Sequence, residues 1–263
     1  MIDLKNKNAI VTGASSGIGA AIARRLAKEK CNLFLTGLGD SQLREMKETC
    51  EKEGVTVLYK ECDFAELDSI GELVRDIKSN NFNIDLFVLN AGISQRDRGL
   101  ETDFDIDRRI MQVNYWSSVY LIKQFKDEIL RSKQVSISVT TSLAGLFGFP
   151  LRTSYCASKH ALFGFFESLD LEYPNIHVTF LIPGRINTPI SRSALMGNGE
   201  KYAKMDPGQA KGLDVDKAAA RAVKAIKKQK HRQLIGKGEL LMAYINRYIP
   251  WLYYKIANKI SPT

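Results

Sequence analysis

Histidine is scarce in this 263-residue chain. The three present, His160, His177 and His231, show no ligand spacing, so no metal site is expected. The four cysteines, Cys31, Cys50, Cys62 and Cys156, form neither a CxxC pair nor a Cys/His cluster. They read as reduced thiols of a cytoplasmic protein rather than a disulfide frame. No apolar run approaches the roughly 18 residues that cross a bilayer. Met1-Ile2-Asp3-Leu4-Lys5 has no apolar signal core, so secretion is not expected. Linkers, repeats and low-complexity tracts are lacking too, which leaves one domain over residues 1–263 as the simplest organisation. Ser15 and Ser16 have no histidine arranged beside them and are not nucleophile candidates.

What is present is an ordinary globular composition, 44% hydrophobic and 25% charged, with a net charge of +9. The charge is uneven. Residues 217–263 carry 11 Lys/Arg against the single acid Glu239, a balance of +10, whereas residues 1–216 stand at −1. Such a basic segment is either a solvated face or a surface for anionic lipid, nucleic acid or an acidic partner. No nucleic-acid reading motif accompanies it, so nucleic acid is not an expected partner.

Short apolar runs alternate with amphipathic stretches. Ala9–Val11, Leu33–Leu35, Val55–Leu58, Leu86–Leu89, Val135–Val139 and Val178–Leu181 read as buried strands. Ile18–Lys28 and Leu43–Glu53 read as helices between them. This alternation predicts an α/β fold: a Rossmann-like, doubly wound parallel sheet with helices on both faces. Residues 1–90 would form most of the dinucleotide-binding half. Residues 188–212, with Gly197, Gly199, Pro207, Gly208 and Gly212, read as a mobile substrate lid. Residues 240–263 form a basic, aromatic helical tail that Pro250 should kink or divide.

Two motifs carry chemistry. Thr12-Gly13-Ala14-Ser15-Ser16-Gly17-Ile18-Gly19 follows the first strand and opens a helix. Glycines there permit a tight turn and close backbone approach to a pyrophosphate, which the helix N-terminus attracts. Tyr155-Cys-Ala-Ser-Lys159 places a phenol and an ammonium on one helix face, and the ammonium should lower the phenol's pKa. His160 falls on a different face of that helix. In isolation the Tyr/Lys pair is no better than chance.

The conjunction of motifs resembles the short-chain dehydrogenase/reductase family over nearly the whole chain. Thr12–Gly19 is similar to the family's cofactor loop, with Gly13, Ser15, Ser16, Gly17, Ile18 and Gly19 as cofactor contacts. Asp63 matches its adenine-contacting acid, Asn90-Ala91-Gly92 the motif closing the fourth strand, and Pro183-Gly184 with Thr188 the nicotinamide flank. Asn114, Ser142, Tyr155 and Lys159 match the catalytic tetrad in order. The resemblance implies an NAD(P)-dependent oxidoreductase that interconverts a carbonyl and an alcohol. Tyr155 would be the acid/base, Ser142 would orient the substrate oxygen, Lys159 would bind the nicotinamide ribose, and Asn114 would hold a proton-relay water. It also implies a homodimer or homotetramer that meets through the helices after Asp103 and Leu151. The competing reading is a nucleotide-binding regulatory or scaffold protein without turnover.

At the end of the second strand, the family's acid position is Gly37 and its arginine position is Leu38. The basic residue sometimes found before the middle loop glycine is here Ser16. The lack of an acid slightly favours NADP(H) over NAD(H), although Asp40 near the ribose would favour NAD(H). Tyr202–Asp206, Gln209–Gly212 and Tyr244–Trp251 add a narrower resemblance to the dehydrogenase/reductase member 7 group. That group is associated with membranes, N-terminal anchors and hydrophobic carbonyl substrates, and Met1–Lys5 offers no such anchor. A hydrophobic ketone or secondary alcohol is therefore the expected substrate. The tail is expected to pack on the protein, with weak membrane-surface contact as its alternative.

Overall fold

A computed structural model describes residues 1–257. Seven strands form one parallel sheet: β1 (Asn8–Thr12), β2 (Asn32–Gly37), β3 (Val57–Glu61), β4 (Leu86–Leu89), β5 (Val135–Thr140), β6 (Ile176–Pro183) and β7 (Arg232–Ile235), in the order β3-β2-β1-β4-β5-β6-β7. The strands are apolar because both faces of the sheet are covered; every residue of β4 and β5 is buried.

Helices α1 (Gly17–Lys28), α2 (Asp40–Glu51) and α3 (Leu67–Ser79) follow the first three strands. Then come α4 (Phe104–Met111), a π-helical turn at Gln112–Trp116, α5 (Ser117–Gln124), α6 (Lys126–Arg131) and α7 (Thr153–Glu172). The chain continues through α8 (Pro207–Ala210), α9 (Val215–Lys227), α10 (Leu241–Tyr248) and α11 (Pro250–Ala257). One core unites side chains of α1, α2 and α9 with one side of the sheet. The other unites α3, α5, α7 and part of α11 with the opposite side.

Several boundaries differ from the sequence expectation. The third strand starts at Val57 rather than Val55, because Asn32 Oδ1 accepts from the Thr56 N–H at 3.0 Å and the ladder pairs Leu33 with Val57. The second helix starts at Asp40, three residues early, since Asp40 and Arg44 form an ion pair of 2.8 Å along its first turn. β7 escapes an apolar-run reading because it is a four-residue edge strand that begins with exposed Arg232 and half-buried Gln233. Pro250 does divide the tail: α10 ends at Tyr248, and Pro250 opens α11.

The order of strands reverses between β1 and β4, the neighbours at the middle of the sheet. In such sheets the crevice outside the carboxyl ends at the reversal is where ligands bind. Phe34 of β2 is fully buried and meets the Phe82 ring edge-on, with centroids 5.8 Å apart. Phe34→Ala should therefore cost about 3–5 kcal/mol in urea unfolding, with the denaturant slope unchanged.

Candidate active site

A cleft of about 410 Å³ opens at that reversal point. Gly13, Ser15, Ser16, Gly17 and Ile18 line it from the β1–α1 turn, Asp63 from the end of β3, and Asn90, Ala91 and Gly92 from the end of β4. Ser142, Tyr155, Lys159, Pro183, Gly184 and Thr188 complete it from the other half of the sheet. Of the expected site residues, only Gly19 and Asn114 stand behind the lining.

The turn is shaped by missing side chains. Gly13 has φ +65° and leaves 3.0 Å between the place of a Cβ and Ala91 Cα. A Cβ on Gly19 would lie 2.2 Å from the Gly13 carbonyl oxygen. Thr12 fastens this turn to β4: its hydroxyl oxygen accepts from the Asn90 and Ala91 N–H groups at 2.8 and 3.0 Å. No side chain caps the N-terminus of α1, so its first amides face the cleft without a protein acceptor from the Ser16 side chain. Asp63, at the adenine end expected for it, accepts from the Ala65 N–H at 2.9 Å.

At the other end, Ser142 caps a short 3₁₀ turn by accepting from the Ala144 N–H at 3.1 Å, and its hydroxyl also acts to lower the Tyr155 phenol's pKa. Tyr155 and Lys159 lie one turn apart on α7, and the Lys159 Nζ is 5.8 Å from the phenol ring centroid. That ammonium donates to the Thr140 carbonyl at 2.9 Å. Asn114 sits in the π-helical turn; its Oδ1 accepts from the Ile93 N–H at 2.8 Å, and its Nδ2 donates to Ile93 O and to Ser158 Oγ. Asn114 thus satisfies buried backbone while sitting close to Lys159. A Cβ on Gly92 would stand 3.1 Å from Asn114 Oδ1 and 3.4 Å from Lys159 Nζ.

The electrostatics depart from the sequence expectation for Tyr155. Burial pushes the phenol's pKa up, and the groups that oppose it are Ser142, through its hydrogen bond, and the cations Arg152 and Arg96. Lys159 is not among them. Its own pKa is brought down to about 8 by burial. The buried thiols of Cys31, Cys50 and Cys62 are pushed up to about 12, 11 and 11 by the same cause, which makes them poor nucleophiles.

Sequence patterning missed the arginines. Arg96, Arg109 and Arg152 line the cleft beyond Tyr155, together with Ile93, Val113 and Ile190. Nothing in the linear spacing marks them, because they come from three separated segments. Arg96 and Arg152 both bind the buried Asp206 carboxylate. This joins the segment expected as a lid, residues 188–212, to the chain after β4. Leu195 also bridges Gln95, and the Gly197 N–H donates to Asp97 Oδ2 at 2.8 Å. Thr188, Pro189, Ile190, Ser193 and Gln209 of that segment flank the cleft. At the opposite end of the sheet, the His177 and His231 rings lie 4.8 Å apart, tilted by 54°, beside Asp170, a proximity that the sequence does not reveal.

Below about pH 8 the folded chain carries a buried Lys159 ammonium, whereas the unfolded chain keeps that proton up to its ordinary value of 10.5. The unfolded state binds more protons in between, so this group makes stability rise with pH from about 8 to 10.5. Lys159→Met should raise the urea midpoint of the ligand-free protein at neutral pH, and the gain over wild type should shrink across that window. A gain independent of pH would contradict the buried charge.

The short chain dehydrogenase family profile matches residues 7–198. A relative from Anopheles gambiae, called dehydrogenase/reductase SDR family protein 7-like, is 34% identical over 99% of this chain and 86% of its own length. A Burkholderia phymatum short chain dehydrogenase/reductase, solved in complex with NAD, superposes with a TM-score of 0.83 over 100% of this chain and 98% of that one, at 22% identity. An alcohol dehydrogenase from Thermococcus sibiricus, solved with 5-hydroxy-NADP, gives a TM-score of 0.76 at 25% identity over 89% of this chain and 97% of that one. With the sheet order, the β1–α1 turn and the Ser142/Tyr155/Lys159 wall already in view, the chain belongs to the short-chain dehydrogenase/reductase family, close to its dehydrogenase/reductase member 7 group.

Proposed function

We propose that this protein is an NAD(P)-dependent oxidoreductase that interconverts a carbonyl and an alcohol, with Tyr155 as its acid/base. The observation that carries the reading is the meeting of Ser142, Tyr155 and Lys159 on one wall of a cleft whose other wall is the β1–α1 turn. The residues fit a dinucleotide. Gly13 and Gly92 leave open the space that a Cβ would fill, and the uncapped amides of α1 suit a pyrophosphate. Asp63 and Leu38 would hold the adenosine end, Lys159 the nicotinamide ribose, and Pro183, Gly184 and Thr188 the nicotinamide flank. When bound, the cofactor supplies or accepts the hydride.

The chain's own residues handle the proton. Tyr155 donates its phenolic proton to the carbonyl oxygen during reduction and takes the hydroxyl proton during oxidation. Ser142 hydrogen-bonds the same oxygen and orients it. The Arg152 and Arg96 cations stabilise the phenolate left behind, in opposition to its burial. Lys159 holds the ribose beside the phenol, and Asn114 keeps the backbone around Ile93 in place. Ile93, Val113 and Ile190 support a substrate with a hydrophobic body. Exposed Phe104 and Trp116, along α4 and the π-helical turn, support a homodimer or homotetramer joined through this face.

Cofactor preference turns on the end of β2. Gly37 and Leu38 bring no charge to the cleft there. The Glu61 carboxylate is fixed beside them by accepting from the Gly39 N–H at 2.6 Å. A negative charge near the ribose disfavours a 2′-phosphate. On this ground we propose NAD(H), against the slight lean towards NADP(H) drawn from the missing acid at Gly37.

Tyr155→Phe should reduce kcat by about 10²-fold or more while leaving nucleotide affinity within about twofold, because only the proton donor is deleted. Equal turnover of wild type and Tyr155→Phe on any accepted ketone would refute the assignment. In parallel fluorescence titrations NADH should bind more tightly than NADPH, and Glu61→Gln should narrow the gap. Tighter NADPH binding by wild type would reverse the preference.

A further inference from the structure

Helices α10 and α11 leave an unusual surface. α10 buries none of its residues completely. Leu241, Tyr244, Tyr248, Ile249, Trp251 and Tyr254 are each at least 40% exposed. They are not scattered. Leu241, Tyr244 and Tyr248 follow a helical i, i+3, i+7 spacing on α10, and Trp251 and Tyr254 follow i, i+3 on α11. A grouping of large apolar side chains of this kind on a water-facing surface marks a contact site.

The same helices are firmly seated on their other side. Met242, Ala243 and Ile245 pack against the core that contains Leu143 and Phe147. Tyr253 is buried, its ring lies 5.0 Å from Phe147, and its hydroxyl donates to the Gly148 carbonyl. Gly148 belongs to the segment between Ser142 and Arg152, so the exposed aromatic face rides on the chain that carries the reactive groups. The face is thus tied through Tyr253 to the stretch that follows Ser142.

Two features identify the occupant. Tyr and Trp, apolar in body and polar at the tip, suit the headgroup level of a bilayer. Arg247, whose guanidinium lies over the Tyr248 ring at 5.9 Å, and Lys255 accompany them, and neither α10 nor α11 carries an acid. An anionic surface complements that charge. A second copy would bring the same positive excess against it. Among the described residues no helix is long and apolar enough to cross a membrane, so contact would lie in the plane of the surface.

We propose that the exposed aromatic and basic face of α10 and α11 docks on an anionic lipid surface and sets the substrate end of the cleft beside it. The docking step stands on this face alone; the delivery of a lipid-dissolved carbonyl compound rests on the oxidoreductase reading above.

The test is sedimentation of the full chain with phosphatidylcholine vesicles, with and without phosphatidylserine, at low and physiological salt. In a Trp116→Phe background, Trp251 emission reports entry into the headgroup region. Wild type should enrich on the anionic vesicles with a blue shift, more strongly at low salt. Arg247→Gln with Lys255→Gln should lose about 30-fold in partitioning, from two headgroup-level charges. Tyr248→Ser with Trp251→Ser should lose the blue shift. Both double variants should reduce a water-soluble ketone at the wild-type rate without vesicles.

No enrichment of wild type on anionic over neutral vesicles would overturn the proposal, as would undiminished binding by both double variants. Light scattering that shows the aromatic variant dissociating an oligomer, with no vesicle binding by wild type, would give the face to a second copy instead. Vesicle binding by a protein inert on every ketone would leave the docking intact and remove the oxidoreductase reading.

Discussion

The β1–α1 turn runs against the end of β4 at a separation that no Cβ can occupy. Gly19 lies over the Gly13 carbonyl, Gly13 lies over Ala91, and the Thr12 hydroxyl takes two amide protons from Asn90 and Ala91. The cleft is what remains between these backbones and the ends of β5 and β6. A methyl group at Gly19 would push the turn off the strand and close the place that the uncapped end of α1 addresses. The rest of the site is arranged around this contact. Gly92 leaves room for the Lys159 ammonium, and Asn114 holds Ile93 so that the chain leaves β4 in the right direction.

The opposite wall is governed by charge held out of water. Lys159 is buried with a carbonyl as its partner, and its pKa falls to about 8. Arg96 and Arg152 share one buried carboxylate, Asp206. Buried cations of this kind contribute little to stability, and removing one partner is costly. Both arginine cations oppose the burial that raises the Tyr155 phenol's pKa. The Asp206 carboxylate brings the segment after β6 into the same network, so that this segment and the chain around Arg152 are positioned together.

Much of this was legible from residue order. The six apolar runs became the six inner and flanking strands, since strands covered on both faces are written as continuous apolar stretches. The β1–α1 turn, the end of β4 and the Ser142/Tyr155/Lys159 set fell on one cleft as the motif spacing required. What escaped was set by tertiary contact. β7 is short, polar at its start and, among the described strands, pairs with β6 alone. The π-helical turn at Gln112–Trp116 has no sequence mark, yet it aims Asn114 at Ile93 and Ser158. The cleft arginines carry no motif, and two of them reach Asp206 over long separations, Arg152 over 54 positions and Arg96 over 110. The expectation of a lowered phenol pKa failed because an i, i+4 spacing says nothing about burial.

The bond from Tyr253 to Gly148 joins residues 105 positions apart and has a consequence for how the protein comes into being on the ribosome. The strands that flank the β1–α1 turn are all synthesised by Leu89, and β5 by Thr140. The core around α1 and α2 is nonetheless closed by α9, made more than a hundred residues later. The stretch between Ser142 and Arg152 waits for its cover until α11 emerges. Both walls of the crevice and the surroundings of Tyr155 therefore depend on segments made late in synthesis, α9 for the first and α11 for the second.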